Sequence, residues 1–231
     1  MREIRSRLLL GDDVMARLKE VRVIIFGTGG VGSWCAEALV RTGLRHLTIV
    51  DCDRVVESNC NRQLMATVKT MGRFKVEALA ERLSDISPEA VITPLALRYT
   101  EETAEQFRLE DYDYTVDCID SVRDKADLIL RTAASGHTKL FCSMGAALRT
   151  DPTLVRSAEF WRIKGDALAR ALRNRFKKEG RFPARKFRSV YSEETPLHNL
   201  FEADGNGSLM TVTATFGMTL ASLVINDLRK L

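Results

Sequence analysis

Short apolar runs in the first half of the chain alternate with stretches that have helical periodicity. Residues 21–26 and 47–50 are almost entirely apolar, as strands are when helices cover both faces of a parallel sheet. Residues 31–42 lie between them with the spacing of a helix, and Gly43 marks its end. The order strand, helix, strand predicts a β-α-β unit and therefore an α/β fold with a parallel sheet.

The same pattern continues along the chain and predicts a Rossmann-like, mostly parallel sheet flanked by helices. The first half adds strands at 90–97, 114–120 and 138–143 and helices at 75–84, 101–108 and 122–134. A C-terminal extension then has short strands at 155–158 and 187–191 and a helix at 165–178. We therefore expect a single domain over 1–231, with a nucleotide-binding core at 1–150. The extension at 151–231 is expected to pack on this core and to face the substrate.

Two further segments allow more than one interpretation. Residues 3–20 predict an amphipathic helix that packs in a dimer, with an apolar side formed by Leu8, Leu9, Leu10, Val14 and Leu18. Residues 205–226 contain no charged side chain over 22 positions, which is close to the length of a membrane span. Threonines and serines interrupt the apolar character of this stretch, so we favour a core helix over a membrane helix.

A glycine-rich turn joins the first predicted strand to the first predicted helix. Gly27, Gly29 and Gly32 match G-x-G-x-x-G, in which the glycines permit a tight turn, close approach of a phosphate and close helix–strand packing. Gly30 lies in the same turn, and the helix start directs free N–H groups at the phosphate. Asp51 ends the β-α-β unit 19 positions after Gly32, where a carboxylate can accept hydrogen bonds from ribose hydroxyls. These features predict a nucleotide site and fit NAD and ATP equally.

A polar loop after the second strand favours ATP. Asp53, Asn59, Arg62 and Gln63 lie in this loop, and Lys75 follows twelve positions later at the start of a helix. Arg62 can bind phosphate oxygens through two parallel hydrogen bonds, and Lys75 supplies a point charge. Reaction at phosphorus develops charge that such cations stabilise, whereas hydride transfer from a nicotinamide does not. Taken singly, either cation could equally be a surface charge.

Asp120 follows the fourth predicted strand at the same edge of the sheet as the glycine turn. A carboxylate at this edge can hold Mg²⁺ against the phosphates. The alternative is that Asp120 caps the helix at 122–134, although Ser121 competes for that position. We favour the metal role. Cys142 is a candidate nucleophile, but no base is evident beside it, so we favour a buried structural thiol.

Charge and cysteine content narrow the class of protein. The net charge is +4, yet residues 162–188 carry eleven lysines and arginines against two acids, which gives +9 there and −5 elsewhere. A basic segment on an otherwise acidic protein predicts a polyanionic partner, and a solvated basic helix is the alternative.

Five cysteines without a C-x-x-C pair indicate reduced thiols rather than disulfides or a zinc site. The first twenty residues lack the apolar core of a secretory signal, so we expect a cytoplasmic protein.

Five elements in this order resemble the ThiF/MoeB superfamily, whose members have the ubiquitin-activating-enzyme-like fold. They are the glycine turn 27–33, the pair Asp51 and Asp53, the run 58–63, Lys75 and Asp120. The resemblance covers roughly residues 5–150. It implies that the protein adenylates a carboxylate with Mg-ATP, with Asp120 toward Mg²⁺.

The resemblance also implies which residues carry the chemistry and how copies assemble. Arg62, Lys75 and Asp120 become the catalytic residues. The protein is expected to form a homodimer in which an arginine of one subunit reaches the ATP of its neighbour, and Arg5 and Arg7 are the candidates.

Within the superfamily, the run 117–125 and the turn 151–153 are similar to the tRNA threonylcarbamoyladenosine dehydratases, and so is the basic helix. The glycine-rich run that this group has near 143–147 is replaced here by Ser-Met-Gly-Ala-Ala. Members that act on sulfur-carrier proteins usually have paired C-x-x-C zinc motifs, which are missing from the sequence. This similarity implies tRNA as the partner, with phosphate contacts from Arg170, Arg173, Arg175, Lys177 and Lys178.

The implied reaction is an ATP-dependent dehydration of the threonylcarbamoyl group on a tRNA adenosine. Its carboxylate attacks the α-phosphate to give an acyl-adenylate, and the ureido group then expels AMP and closes a ring. The sequence leaves open whether a monovalent cation binds and whether sulfur-transfer proteins of a cysteine desulfurase system dock. The alternatives are adenylation of the C-terminus of a ubiquitin-like or sulfur-carrier protein, an NAD-dependent oxidoreductase and a catalytically silent binding subunit.

Overall fold

Seven strands form one sheet in the computed structural model, which describes residues 2–202 and 205–230. They are β1 (Arg22–Phe26), β2 (His46–Val50), β3 (Val91–Leu95), β4 (Tyr114–Asp117), β5 (Lys139–Ser143), β6 (Val155–Glu159) and β7 (Arg188–Ser192). Their order across the sheet is β3-β2-β1-β4-β5-β7-β6. The β6–β7 pair is antiparallel and the other neighbouring pairs are parallel. The predicted α/β fold with a mostly parallel sheet is confirmed.

Six α-helices pack on the two faces of this sheet in the described residues. They are α1 (Ile4–Glu20), α2 (Gly32–Thr42), α3 (Lys75–Ile86), α4 (Val122–Ala134), α5 (Ala167–Glu179) and α6 (Met210–Leu228). Successive side chains of a strand point to opposite faces, so Val23 and Ile25 join the core formed with α2, α3 and α6. Ile24 and Phe26 join the core on the α4 side. Burial on both faces explains why this strand is apolar without alternation.

The strand order changes direction beside β1. β2 and β3 lie on one side of it, and β4 and β5 lie on the other. In open α/β sheets, ligands bind outside the carboxyl ends of the strands at such a switch point. The glycine turn follows β1 and the connection 118–121 follows β4. The two loops with the most specific sequence signals therefore flank the switch point.

α1 departs from the continuous amphipathic helix expected at 3–20. Gly11 adopts φ 80° and ψ 168°, which divides α1 into two helical pieces. Val14 and Leu18 of the second piece are buried, whereas Leu8 and Leu9 of the first are 72% and 81% exposed. The prediction of one continuous helix over 3–20 is therefore wrong, because the break at Gly11 ends the helical register that would align all five apolar residues on one side. Packing of this segment in a dimer stays a prediction.

The segment 101–108 also differs from the helix expected there. Its regular part is a 3₁₀ helix, Ala104–Phe107. Phe107 and Tyr99 both pack edge-on against Phe26, with ring centroids 5.1 Å away. Each edge-to-face pair adds about 0.5–1.5 kcal/mol to the burial of its rings. Tertiary packing against the sheet therefore determines this segment, which is too short to form a stable helix by itself.

α6 occupies the uncharged stretch for which a core helix was favoured. By length and composition this helix could cross a membrane. In the folded chain one of its faces is covered, and Phe216 and Leu220 are fully buried in the core formed with α2. Gly217 marks the closest approach, because a β-carbon there would lie 2.4 Å from the Val31 carbonyl oxygen at the start of α2. The core-helix prediction is confirmed.

Candidate active site

The glycine turn owes its shape to two positions that exclude a β-carbon. Gly27 adopts φ +84°, and a β-carbon there would lie 2.8 Å from the Cys118 carbonyl oxygen. A β-carbon on Gly32 would lie 1.9 Å from the Gly27 carbonyl oxygen. The tight turn and the close helix–strand packing predicted for these glycines are confirmed.

Successive main-chain donors line the same turn. The amide groups of Gly29, Gly30 and Val31 donate to no residue that the structure describes. Buried or half-buried amides require a partner, and an anion at the start of a helix supplies one with favourable dipole interaction. The turn is therefore built to receive a phosphate group.

Asp51 ties the end of β2 to the glycine turn. Its Oδ2 atom accepts hydrogen bonds from Thr28 N at 2.8 Å and from Thr28 Oγ1 at 3.2 Å. Its Oδ1 atom accepts from Asp53 N at 2.9 Å. Each carboxylate oxygen has more than one lone pair, so a further donor can still be accepted. Asp51 thus has a structural role that its motif did not predict, and the ribose contact stays a prediction.

Arg62 lies on a loop that is anchored to both halves of the chain. Its main-chain oxygen accepts from Trp34 Nε1 of α2 at 3.0 Å, and Asn61 Nδ2 donates to the Ser208 main-chain oxygen at 2.9 Å. The Arg62 guanidinium is held by the Ser58 main-chain oxygen and Asn61 Oδ1, each at 2.9 Å from Nη1. Nη2 and Nε make no hydrogen bond within the described residues, which leaves donors for an anion.

Gln63 provides a direct test of whether a nucleotide fits. Its side chain is buried, and Oε1 has no hydrogen-bond partner among the described residues. A β-carbon on Gly29 would lie 3.7 Å from Gln63 Nε2, so the amide borders the glycine turn. An unpaired buried amide oxygen only accepts hydrogen bonds, so its partner from outside the chain is a donor, such as a hydroxyl or amino group of a nucleotide or a water molecule. Asn59, in contrast, uses its Oδ1 atom to accept from Val56 N at 3.2 Å and so stabilises its own turn.

Lys75 is brought to the sheet edge by a short antiparallel contact. Arg54 pairs with Phe74, which aligns Lys75 with Asp53. Lys75 Nζ lies 2.7 Å from Asp53 Oδ2, and the Lys75 side chain is 8% exposed whereas that of Asp53 is 62% exposed. The hydrogen bond from Lys75 lowers the pKa of Asp53. The Lys75 ammonium group is therefore held in place, and the Asp53 carboxylate that pairs with it faces solvent.

Asp120 is exposed at the carboxyl edge and has no hydrogen-bond or ion-pair partner within the described residues. The cap of α4 is Ser121, whose Oγ accepts from Asp124 N at 3.4 Å. The alternative that Asp120 caps this helix is therefore wrong. The described residues contain no group of three or more His, Cys, Asp or Glu that could enclose a metal ion. An exposed carboxylate still fits Mg²⁺, which takes its remaining ligands from phosphates and water.

Cys142 is a structural thiol, as favoured from the sequence. It is fully buried in β5, and its Sγ donates to Asp117 Oδ2 at 3.5 Å. Burial raises the pKa of Cys142 well above the ordinary value. Asp117 in turn pairs with Lys125, an ion pair that sequence analysis missed although both residues lie in the run 117–125. The available signal was a lysine on an inward-facing position of a helix that follows an aspartate at a strand end.

The basic segment divides into arginines that hold the fold and cations that face solvent. Arg173 donates to the Phe160 and Ile163 main-chain oxygens at 3.3 and 3.0 Å. Arg175 pairs with Glu179 at 2.7 Å. Among the cations of α5, Arg170, Lys177 and Lys178 face solvent with no such partner in the described residues, and the same holds for the rest of the segment at Arg162, Lys164, Arg181 and Lys186.

Arg185 also serves the fold, and this role was missed. It donates to four main-chain oxygens at and beyond the end of α4, at 3.0–3.2 Å: those of Thr132, Ala133, Gly136 and Thr138. Helix ends leave carbonyl groups unpaired, and a cation there is favourable. Arg185 is therefore a helix cap supplied by another part of the chain.

The two N-terminal arginines differ. Arg7 makes a bidentate pair with Asp12, with Nη2 to Oδ2 at 2.9 Å. Arg5 is exposed and has no hydrogen-bond partner among the described residues. Both lie in the first piece of α1, near the exposed Leu8 and Leu9.

Comparison with known proteins extends over nearly the whole chain. The model of the ThiF family matches residues 2–230. The chain is 37% identical to the tRNA threonylcarbamoyladenosine dehydratase of Bacillus subtilis over 193 residues, which cover 84% of this chain and 75% of that protein. It is 33% identical to the enzyme of that name from Haemophilus influenzae over 234 residues, covering 94% and 89% of the two proteins.

Comparison with a solved structure agrees with the sequence comparison. The crystal structure of the E. coli tRNA N6-threonylcarbamoyladenosine dehydratase TcdA in complex with ATP superposes with a TM-score of 0.89 at 32% identity. The superposition covers 98% of this chain and 93% of that one. The seven-stranded sheet and the helices described above are thus those of a known group, and the chain belongs to the ThiF family.

Proposed function

We propose that this protein is an ATP-dependent tRNA threonylcarbamoyladenosine dehydratase. The observation that carries the proposal is the junction of the glycine turn, buried Gln63, Lys75 and Asp120 at one edge of a sheet. Relatives of that name share about a third of its residues, and one of them is known with ATP. The reaction would join the substrate carboxylate to AMP, release pyrophosphate, and close a ring when the ureido group expels AMP.

The residues divide the work of nucleotide binding and charge stabilisation. The amides of the glycine turn bind phosphate oxygens, and Asp51 accepts from the ribose. Arg62 and Lys75 bind the phosphates, with the side-chain NH2 groups of Asn59 and Gln63 as further donors, and the two cations stabilise charge that develops as pyrophosphate leaves. Because Asp53 is exposed and Lys75 is not, the carboxylate can turn away while the ammonium stays fixed. Positioning and charge neutralisation are the contribution of the protein.

Asp120 is the residue that would hold Mg²⁺. When bound there, the ion would neutralise phosphate charge and orient the triphosphate. Asp53 lies at the same edge and faces solvent. A monovalent cation is a further proposal, for which the described residues suggest no ligand set.

The substrate and partner proposals rest on the second half of the chain. Of the five cations of α5, Arg170, Lys177 and Lys178 are available for tRNA phosphates, whereas Arg173 and Arg175 already have partners within the chain. A homodimer would cover the exposed leucines of α1 and bring Arg5 to a neighbouring nucleotide. We further propose a cytoplasmic location, ligase-type chemistry and contact with sulfur-transfer proteins.

The test is mass spectrometry of nucleosides from tRNA that carries the threonylcarbamoyl group. The tRNA is incubated with ATP and Mg²⁺, with and without the protein, and is digested without base so that a cyclic product survives. A mass loss of one water, dependent on the protein and on ATP, is the expected result. Asp120→Asn protein should form the product at least tenfold more slowly.

Exchange of pyrophosphate into ATP separates this proposal from the alternatives. Exchange with modified tRNA supports it. Exchange that requires a ubiquitin-like or sulfur-carrier protein, and does not occur with modified tRNA, would indicate adenylation of that protein instead. Binding of a nicotinamide cofactor without competition from ATP would indicate an oxidoreductase. A protein without exchange under any condition, but with full cellular function after Lys75→Ala, would be a binding subunit.

A further inference from the structure

Behind Asp120 lies an ion pair that the proposed chemistry does not use. Lys125 Nζ lies 2.8 Å from Asp117 Oδ2 and donates to the Asp117 main-chain oxygen at 3.5 Å. Neither side chain is exposed to solvent. Asp117 is the last residue of β4, and Lys125 is the fourth residue of α4. The pair therefore joins the two ends of the connection that carries Asp120.

The other contacts of Asp117 act on the same connection. Oδ1 accepts from Ile119 N at 3.0 Å, one residue before Asp120. On the neighbouring strand, Cys142 Sγ donates to Oδ2 at 3.5 Å. The turn so held also touches the glycine turn, because the Cys118 carbonyl oxygen fills the space beside Gly27.

Stability alone is a weak reason for this arrangement. Removing two charges from water costs several kcal/mol for each ion, and replacing a buried pair with apolar groups is often neutral or stabilising. An apolar strand end would have been sufficient for packing against α4. The location of the pair at the root of the Asp120 connection supplies a second reason, which is to fix the direction of that connection.

We propose that Asp117 and Lys125 are a positioning pair that holds the Asp120 carboxylate in register with the glycine turn. So positioned, Asp120 would hold a divalent cation beside the phosphates of a nucleotide bound at that turn. Neither residue touches the reactants. The inference rests on the proposed function only for the role of Asp120 toward Mg²⁺, and it does not depend on the tRNA substrate.

Four variants of the full chain test this positioning role. Lys125→Met removes the cation, and Asp117→Asn with Lys125→Met removes both charges while an amide oxygen remains for the Ile119 N–H group. Asp120→Asn is the reference for loss of the metal ligand. Glu37→Gln is the matched control, because Glu37 is also a largely buried carboxylate, paired with Arg82 at 2.6 Å between α2 and α3.

The readout is the binding of Mn²⁺ in the presence of a non-hydrolysable ATP analogue, followed by electron paramagnetic resonance. Binding of the analogue without metal is measured by calorimetry. We expect Mn²⁺ affinity to fall 10- to 100-fold in both Lys125 variants, as in Asp120→Asn, because partners that orient metal ligands have effects of this size. Metal-free analogue binding should stay within twofold of wild type, and Glu37→Gln should lose stability without losing Mn²⁺ affinity.

A folded double variant with Mn²⁺ affinity within twofold of wild type would overturn the inference. If the variants do not fold, hydrogen exchange in the wild-type protein decides. The Ile119 amide should be protected as strongly as the amides of β4, and protection below about tenfold would refute the positioning role. Wild-type protein that binds Mn²⁺ as expected but does not convert tRNA would refute the proposed function alone.

Discussion

Two groups of cations in this molecule are used in opposite ways. At the carboxyl edge of the sheet, Lys75 is fixed by a carboxylate that itself faces solvent, and Arg62 keeps donors that no described residue takes. In the basic segment, Arg173 and Arg185 donate to main-chain oxygens and hold the fold. The partners of a cation, rather than the number of cations in a segment, therefore indicate which charges are available to a ligand.

The strongest test of this comparison is Lys75→Met. The variant keeps the length of the side chain and removes the charge at the sheet edge. We expect ATP-dependent dehydration to fall about 100- to 1000-fold, the loss seen when one preorganised charge-stabilising donor is removed. Rates of formation of the cyclic nucleoside are measured by mass spectrometry. Lys69→Met, at an exposed position in the 3₁₀ helix Val68–Thr70, is the control and should keep at least half of the wild-type rate.

Arg185→Ala tests the structural side of the comparison. Loss of its hydrogen bonds to the carbonyl groups at the end of α4 should lower the free energy of unfolding by about 2 kcal/mol, because charged donors to otherwise unpaired carbonyls contribute at this level. Urea unfolding measures the change. Affinity for tRNA should remain within twofold; a large loss of tRNA affinity with unchanged stability would place Arg185 among the ligand-binding cations instead.

In contrast to Arg185, the exposed cations of α5 are expected to contribute to tRNA binding and little to stability. Replacing Arg170, Lys177 and Lys178 together with alanine should weaken tRNA binding about tenfold and reduce the salt dependence of the affinity, with a slope smaller by about two to three. Stability should change by less than about 0.5 kcal/mol for each residue. Filter binding at several salt concentrations measures the affinity for tRNA and the slope of its salt dependence. Lys19→Ala with Lys69→Ala, at exposed positions elsewhere, should leave the slope unchanged.

Acid titration of the Asp53–Lys75 pair gives the smallest expected effect. The pKa of Asp53 is lowered by the hydrogen bond from Lys75, so the pair stabilises the fold above the ordinary carboxyl pKa of about 4 and loses this contribution as the pH falls through the lowered value. Because Asp53 is largely exposed, the contribution is below about 1 kcal/mol. Unfolding free energies of wild-type and Asp53→Asn protein should differ more at pH 7 than at pH 3. A difference that grows on acidification would contradict this pairing.

The parts of the site that are local in sequence could be predicted. Gly27 and Gly32 owe their roles to contacts within the turn and its neighbouring strands, and the G-x-G-x-x-G spacing encodes them. Asp51 and Asp120 each follow an apolar strand in the sequence. Because parallel strands end at the same edge of the sheet, their location at the carboxyl edge could be predicted. Even there, the sequence indicated a ribose contact for Asp51 but not its hydrogen bonds to Thr28.

The parts that depend on distant packing could not be predicted. Arg170 and Arg173 lie one turn apart on the same helix, and only the carbonyl groups near residues 160–163 separate their roles. The Asp117–Lys125 pair is buried because α4 and several strands meet there; the inward-facing position of Lys125 was a local signal, but the burial of both charges depends on that distant packing. The helix break at Gly11 could not be predicted for the same reason. An isolated glycine within a helical pattern is often tolerated, whereas here it interrupts the helix.

The contact of Gly217 with the start of α2 has a consequence for synthesis on the ribosome. The helix that carries the nucleotide-binding turn has its outer face covered by residues 210–228. The first 150 residues contain every strand that borders the glycine turn, yet they emerge with this apolar face open to solvent. We therefore expect the nascent nucleotide-binding half to depend on chaperones until α6 has left the exit tunnel and covers this face.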